Sequence, residues 1–223
     1  MKKNEGEIKL ENKLYSKVFM WLFIGLLITF GGAMALLAAP SVYKFILGSN
    51  IYYAIFIAEI IIAIFLGSRI TTMKPTTAKV LYCLYALFTG ITFASLFLIF
   101  KITSIIVVFL ITAVLFGIFA LLGKFTKVDL SKFGTYLMIG LISVILLELV
   151  NIFVASNSLD MFLCIITIII FIGYTAFDMQ NIARMANMGI DDDNYAIIGA
   201  FRLYLDFVNL FIKLLNIFGK DND

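Results

Sequence analysis

Long apolar runs separated by short polar breaks dominate this sequence, and they constrain the fold more than any other feature. A hydrocarbon core about 30 Å thick needs about 20 apolar residues per helix, and only helices and closed barrels satisfy their backbone hydrogen bonds inside it. With 63% of its 223 residues hydrophobic and 14% charged, the chain has the composition of a polytopic membrane protein. The length and continuity of the runs favour helices over strands.

Seven spans can be read between the polar breaks. They cover residues 18–39, 51–69, 78–100, 103–122, 133–155, 161–178 and 195–218. The connecting segments are too short to hold a soluble domain, so any chemistry must take place among the helices. We predict an all-α membrane protein with a cytoplasmic tail at 1–17, one transmembrane domain at 18–219 and a short tail at 220–223.

Basic residues are concentrated in alternate connections, which predicts the orientation in the membrane. Lysine and arginine cluster before the first span, between 69 and 79, and between 124 and 132, whereas the opposite connections offer only Lys44 and Lys101. The amino terminus is therefore expected in the cytoplasm. The net charge of +3 comes mostly from these flanking lysines and gives no support to nucleic-acid binding. Usage rich in Ile, Lys, Asn and Phe favours a bacterial plasma membrane, with an internal eukaryotic membrane as the alternative.

The seventh span carries a polar stripe on an otherwise apolar helix. Its members recur at intervals of four, three, four and three residues: Arg202, Asp206, Asn209, Lys213 and Asn216. Lipid cannot face such a stripe, so we predict that this helix lies in the centre of the bundle or lines a wet cavity. The alternative is an amphipathic helix lying flat on the membrane surface.

Two aspartates fall within the last two spans, Asp178 in the sixth and Asp206 in the seventh. A carboxylate at mid-bilayer costs roughly 2.5 to 3.5 kcal/mol on insertion scales, so such residues indicate function. The alternative for Asp178 is a helix-end residue solvated by the cytoplasm. Whether the two carboxylates meet depends on helix tilt and stays open at this level.

Three segments carry a family resemblance. They are GYTAFDMQNI, which contains Asp178 and Gln180, LYLDFVNLF, which contains Asp206 and Asn209, and PTTAKVLYCLYA in the third span. Together they resemble the transmembrane Bax inhibitor motif family over most of the chain. The resemblance implies a seven-helix protein with a central last helix and, in bacterial members, a pH-sensitive calcium leak rather than an enzyme.

The resemblance also implies roles for particular residues. Asp178 and Asp206 would share a proton and form the pH sensor and ion path, where they would contact calcium in transit. An arginine of the second span would act as a latch, and Glu59 and Arg69 are that span's charged residues. The supporting polar residues are Arg202, Asn209 and Gln180. Calcium ions, protons and the lipid bilayer are the expected partners, and no resident cofactor is expected.

Elementary chemistry is consistent with these roles. Calcium is a hard cation that prefers oxygen ligands, and buried carboxylates supply both charge and oxygen. Two carboxylates held close favour sharing one proton, while a nearby arginine favours the ionised form. Because the chain contains no histidine, sensing near neutral pH would have to come from such a coupled site.

The chain departs from the family pattern at several positions. Phe177 and Met179 replace hydroxyl-bearing residues that the family usually has there. Arg202 stands one turn before Asp206 and could hold it ionised. Glu148 is a further carboxylate in the fifth span, either a partner of Arg202 or a residue near the outer surface.

Two other classes of protein fit parts of the pattern. An intramembrane aspartyl protease also uses two aspartates on neighbouring helices, but it has Tyr-Asp where this chain has Phe-Asp, and a glycine-flanked aspartate where this chain has Leu-Tyr-Leu-Asp. The other alternative is a non-conducting protein that modulates a membrane protease or a cell-death partner. Calcium flux in pure liposomes would separate this class from a leak.

Overall fold

The computed structural model describes residues 5–190 and 192–222, with side chains from residue 12 onward. This part of the chain forms α-helices and contains no β-strand. The helices are α1 (Glu5–Leu37), α2 (Pro40–Leu47), α3 (Ile51–Arg69), α4 (Pro75–Phe93), α5 (Leu96–Ile99), α6 (Ile102–Phe125), α7 (Phe133–Val154), α8 (Asn157–Asn187) and α9 (Asp193–Phe218). Residues 1–4 of the predicted amino-terminal tail and residue 223 of the predicted carboxyl-terminal tail lie outside the described residues.

Seven of these segments are long and apolar enough to cross a membrane, which confirms the predicted fold class. They are α1, α3, α4 together with α5, and α6 to α9. The first helix begins at Glu5, so most of the predicted tail is helical. The second span matches its predicted bounds, and the others differ mainly in where they begin and end.

Two interruptions were not predicted. The connection after α1 contains the short helix α2, which begins with Pro40 at its first position and buries Tyr43. The third span breaks between α4 and α5, where the Ser95 hydroxyl donates a hydrogen bond to the Thr92 carbonyl at 2.7 Å. A serine that bonds its own backbone in this way competes with the helical pattern.

The sixth span runs past its predicted end at Asp178. The following residues contain neither glycine nor proline, so α8 continues to Asn187. It stops before Gly189, which has a φ of 72° and donates its N–H to the Ala186 carbonyl at 3.0 Å. A glycine in the left-handed conformation is a common way to end a helix.

Burial differs sharply between the spans. In α9, 72% of the most apolar stretch is buried, against 6% in α3 and in α7. The interior position predicted for the seventh helix is therefore confirmed, and the alternative of a helix lying flat on the membrane is wrong. The exposed side chains of α3 and α7 are large and apolar, as lipid-facing surfaces require.

The chain divides into two compact units. The first comprises Met1–Ile99 and Ala186–Tyr204. Within it α1 packs against α4, and a Cβ at Gly90 would lie 3.2 Å from the Thr29 Cα, so the two helices touch through glycine. The rings of Tyr82 and Tyr85 meet those of Phe201 and Tyr204 edge to face, with centroids 5.3 to 6.3 Å apart.

The second unit comprises Phe100–Met185 and Leu205–Asp223. Here α6 contacts α8 through Gly123, and α7 contacts α8 where Gly134 lies against the Phe177 ring. The Phe207 ring of α9 packs against two rings of α6, those of Phe109 and Phe116, at 5.3 and 5.5 Å between centroids. These contacts pack α8 and the second half of α9 into one unit with α6 and α7.

Candidate carboxylate site

Asp178 lies within α8, nine residues before the helix ends, and is only 6% exposed. The alternative of a carboxylate solvated at a helix end is therefore wrong, because the helix continues and the side chain is buried. Thr175, close by on the same helix, is fully buried and donates its hydroxyl to the Phe171 carbonyl at 2.8 Å. Its hydroxyl is thus engaged with the backbone.

Asp206 lies near the middle of α9 and is 3% exposed. Its helical neighbours Leu203, Phe207 and Leu210 are buried apolar residues. Burial of a carboxylate among apolar groups is costly, so both positions are unusual in spans of this composition, and their predicted functional role stays a prediction.

Tyr174 of the second unit is a residue that interacts electrostatically with both aspartates. It stands one turn before Asp178 on α8, and its side chain is within electrostatic range of both Asp178 and Asp206. Its ring contacts those of Phe171 and Phe177 on the same helix, at 6.0 and 6.5 Å between centroids. Both carboxylates are thus within electrostatic range of one tyrosine, whose ring contacts two phenylalanines of its own helix.

Glu59 lies in the first unit, half-buried on α3. It accepts hydrogen bonds from the Thr89 hydroxyl at 2.7 Å and the Thr92 hydroxyl at 3.5 Å, both on α4. Two hydroxyl donors stabilise a carboxylate in an apolar setting. The predicted partner role of Glu59 stays a prediction, and its observed contacts anchor α3 to α4.

Arg69 is exposed and occupies the last turn of α3, where it lies at the favourable end of the helix dipole. Its backbone carbonyl accepts the Thr72 hydroxyl at 2.9 Å. Arg202 is also exposed and stands one turn before the buried Asp206 on α9. The latch role of Arg69 and the pairing of Arg202 with Asp206 stay predictions.

The side chains of the two remaining predicted residues each bind backbone groups. Asn209 donates its side-chain amide to the Leu205 carbonyl at 2.8 Å, within α9. Gln180 binds the backbone of the connection between α6 and α7: its oxygen accepts the Leu130 N–H at 2.9 Å and its nitrogen donates to the Val128 carbonyl at 2.8 Å. Gln180 therefore holds that connection against α8, two residues beyond Asp178.

Arg184 extends the same arrangement. Its guanidinium donates to the Asp129 carboxylate, the Ser131 hydroxyl and the Gln180 oxygen. The Ser131 backbone N–H, the Ser131 hydroxyl and this guanidinium lower the pKa of Asp129 to about 2. We call Asp129, Ser131, Gln180 and Arg184 the loop clasp. Sequence reasoning missed it, although an arginine one turn after a glutamine near a polar connection was a usable signal.

Glu148, which could not be placed from sequence, pairs with Lys213. The Lys213 Nζ lies 2.5 Å from the Glu148 Oε1, which joins α7 to α9. The partnership with Arg202 that was considered for Glu148 stays a prediction. The signal was present in the sequence, since Lys213 belongs to the polar stripe and needs an acidic partner within the membrane.

A second ion-pair group was also missed. Asp193, the first residue of α9, lies 2.9 Å from the Lys17 Nζ of α1 and 2.6 Å from the Lys79 Nζ of α4. One carboxylate therefore joins three helices of the first unit. A carboxylate in the first turn of α9 also complements the helix dipole.

Among the described residues, no group of three or more Asp, Glu, Cys or His side chains converges as a metal cage would. The less exposed carboxylates of the second unit are instead spread over three helices: Asp178 on α8 and Asp206 on α9, within electrostatic range of Tyr174, and Glu148 on α7 beside Lys213. Oxygen ligands are therefore available singly or in pairs from different helices.

These features define a seven-span α-helical membrane protein with buried carboxylates in its last two spans. The family model described as "Inhibitor of apoptosis-promoting Bax1" matches residues 11–223. The chain therefore belongs to the Bax inhibitor family, as the resemblance of its motifs predicted.

Several bacterial proteins are similar over most of the chain. The Escherichia coli K12 protein called "Inner membrane protein YbhL" is 35% identical over 214 residues, which cover 92% of this chain and 90% of that protein. A Borreliella burgdorferi protein called "Uncharacterized protein" is 35% identical over 219 residues, covering 96% and 94%. An "Uncharacterized membrane protein" of Streptococcus pyogenes serotype M3 is 33% identical over 174 residues, covering 77% and 76%.

Proposed function

We propose that this protein is a pH-sensitive calcium leak of the membrane, gated by the carboxylates of Asp178 and Asp206. The observation that supports it is the burial of both carboxylates, at 6% and 3% exposure, within electrostatic range of one tyrosine, Tyr174. Membership of the Bax inhibitor family gives the proposal its context.

The mechanism follows from the charge state of the pair. When both carboxylates are ionised, their oxygens and charge attract a hard divalent cation. When a proton is shared between them, one negative charge is lost and the remaining oxygens are engaged with each other. Acidification therefore closes the path. The absence of histidine from the sequence leaves the carboxylate pair as the group suited to sensing pH.

We further propose that the protein lies in a plasma membrane with its amino terminus in the cytoplasm. The lysine-rich connections support this orientation, and the name of the Escherichia coli relative refers to an inner membrane. Cysteines introduced at Asn4 and Asn222 should react with impermeant reagents from opposite sides of intact cells. Reaction of both cysteines from the same side would show that the number of spans between them is even.

Reconstitution tests the leak itself. Purified protein in liposomes that contain a calcium dye should pass calcium at neutral pH and less at acidic pH. Asp178→Asn and Asp206→Asn should each reduce the flux or abolish its pH dependence, because the pair can no longer share a proton. Asp160→Asn is the matched control, since it removes an exposed carboxylate from the first turn of the same helix as Asp178.

The outcomes separate the function classes. Folded wild-type protein that passes no calcium at any pH would contradict the leak and favour a non-conducting modulator of a membrane protease or cell-death partner. Cleavage of a membrane substrate that both asparagine variants abolish would indicate an aspartyl protease instead. Equal flux in Asp206→Asn and Asp160→Asn would show that the buried carboxylate does not gate the path.

A further inference from the structure

The polar stripe of α9 continues beyond the aspartate site to an ion pair that the proposed gating does not use. Lys213 and Glu148 are in contact at 2.5 Å, with side chains 18% and 36% exposed. The lysine is thus the more buried partner. Its ammonium is held against the Glu148 carboxylate of α7.

A thiol from a third helix lies near this pair. Cys164 of α8 is 1% exposed and lies within electrostatic range of both Lys213 and Glu148. The pair therefore lies where α7, α8 and α9 meet. Charged side chains are unusual in spans that are otherwise apolar.

The helical register aligns the pair with the aspartate site. Lys213 follows Asp206 by seven residues, two turns of helix, so the two side chains share a face about 10.5 Å apart along the axis. Asn209 stands between them on that face. A cation that leaves Asp206 along this stripe would meet the Lys213 ammonium next.

A fixed ammonium has two effects on such a cation. The ammonium repels a calcium ion that comes into contact with it, whereas at longer range Glu148 balances its charge. The ammonium also occupies the oxygens of Glu148, the next carboxylate that a calcium ion could contact. The lysine ammonium therefore occupies the position that a calcium ion would take at Glu148.

We propose that Lys213, held by Glu148, is a second barrier to cations, in series with the aspartate pair and located about two turns from it. This inference rests on the proposed calcium leak. It differs from the gating proposal because it concerns the size of the flux rather than its dependence on pH.

Single substitutions distinguish a barrier from a structural contact. In liposomes, Lys213→Gln should raise the calcium flux at neutral pH about three- to tenfold and leave the pH of half-closure unchanged. Glu148→Gln should not raise the flux, because the ammonium remains. The double variant Lys213→Glu with Glu148→Lys rebuilds the pair with a positive charge and should return the flux to within about twofold of wild type. A change in the same direction in both glutamine variants would show a structural contact only and overturn the barrier.

The native Cys164 provides a readout that needs no calcium flux. In a Cys83→Ala background, a cationic and a neutral thiosulfonate reagent of similar size should compete for Cys164. Lys213→Gln should raise the ratio of cationic to neutral labelling at least about threefold. An unchanged ratio, or no labelling of Cys164 by either reagent, would overturn the inference. A changed ratio in protein that conducts no calcium would support the barrier and contradict the leak.

Discussion

Gly123 offers a sharp test of how the second unit is packed. A Cβ at this position would lie 2.7 Å from both the Cα and the carbonyl carbon of Ala176, whereas ordinary contacts begin at 3.4 Å. The Ala176 carbonyl oxygen lies closer still, so in Gly123→Ala the helices α6 and α8 must separate by more than about 0.7 Å. The obstacle is backbone, which cannot rotate away as a side chain can.

The magnitude follows from two opposing terms. Overpacking of a filled core costs about 1 to 3 kcal/mol, and replacing a helical glycine by alanine returns roughly 0.5 to 1 kcal/mol. Gly123→Ala should therefore lower the free energy of unfolding by up to about 2.5 kcal/mol, with a central value of about 1 kcal/mol. Gly117, on the same helix, has nothing within 4 Å of its Cβ position. Gly117→Ala should consequently be neutral or slightly stabilising.

The free energy of unfolding can be measured in mixed micelles by titration with sodium dodecyl sulfate, with circular dichroism as the signal. The two alanine variants should differ by about 1 to 3 kcal/mol, because the helix-propensity term is common to both and only the overpacking term separates them. If they agree within about 0.5 kcal/mol, α6 and α8 are not in backbone contact at Gly123, and the packing argument fails.

Three further predictions concern charged groups. Arg202→Ser should raise the pH at which the proposed leak closes if Arg202 favours ionised Asp206; a pH profile that overlays wild type in the liposome assay would exclude this pairing. Asp193→Asn should lower the free energy of unfolding by roughly 1 kcal/mol through loss of both lysine contacts, whereas Asp192→Asn, which retains the helix-capping oxygen, should change it little. The pKa of Asp129 is lowered to about 2, so the loop clasp stabilises the protein above about pH 4, and this contribution is lost as the pH falls towards 2. The difference in melting temperature between wild type and Asp129→Asn should therefore shrink over that range.

The spans and the interior seventh helix could be predicted because they depend on local composition and on helical periodicity. The second span was predicted to the residue, and the stripe containing Asp206 indicated the buried helix. The end of α8 was placed too early because hydropathy falls after Asp178, whereas helix continuation depends on the absence of glycine and proline before Gly189. The polar residues that follow Asp178 predict the end of the apolar span, but they do not end the helix.

The partners of the charged residues were harder to predict. Lys213 and Glu148 are 65 positions apart, and Asp193 and Lys17 are 176 apart. Helical periodicity shows which face a residue occupies but not which other helix lies opposite that face. The same holds for Gln180, whose contacts lie with the backbone of a connection that has no regular pattern. Pairing across helices is a property of the packed fold.

The combination of low hydropathy and high burial in α9 has a consequence for biogenesis. Its mean hydropathy is 1.5, against 3.2 for α6, so α9 is the span that gains least from entering lipid alone. The polar groups that satisfy it, such as Glu148 for Lys213 and Thr29 for Tyr204 at 2.6 Å, are supplied by helices that the ribosome makes earlier. Stable insertion of α9 therefore depends on the prior arrival of its neighbours, and a substitution at Glu148 or Thr29 acts on membrane integration as well as on the finished protein.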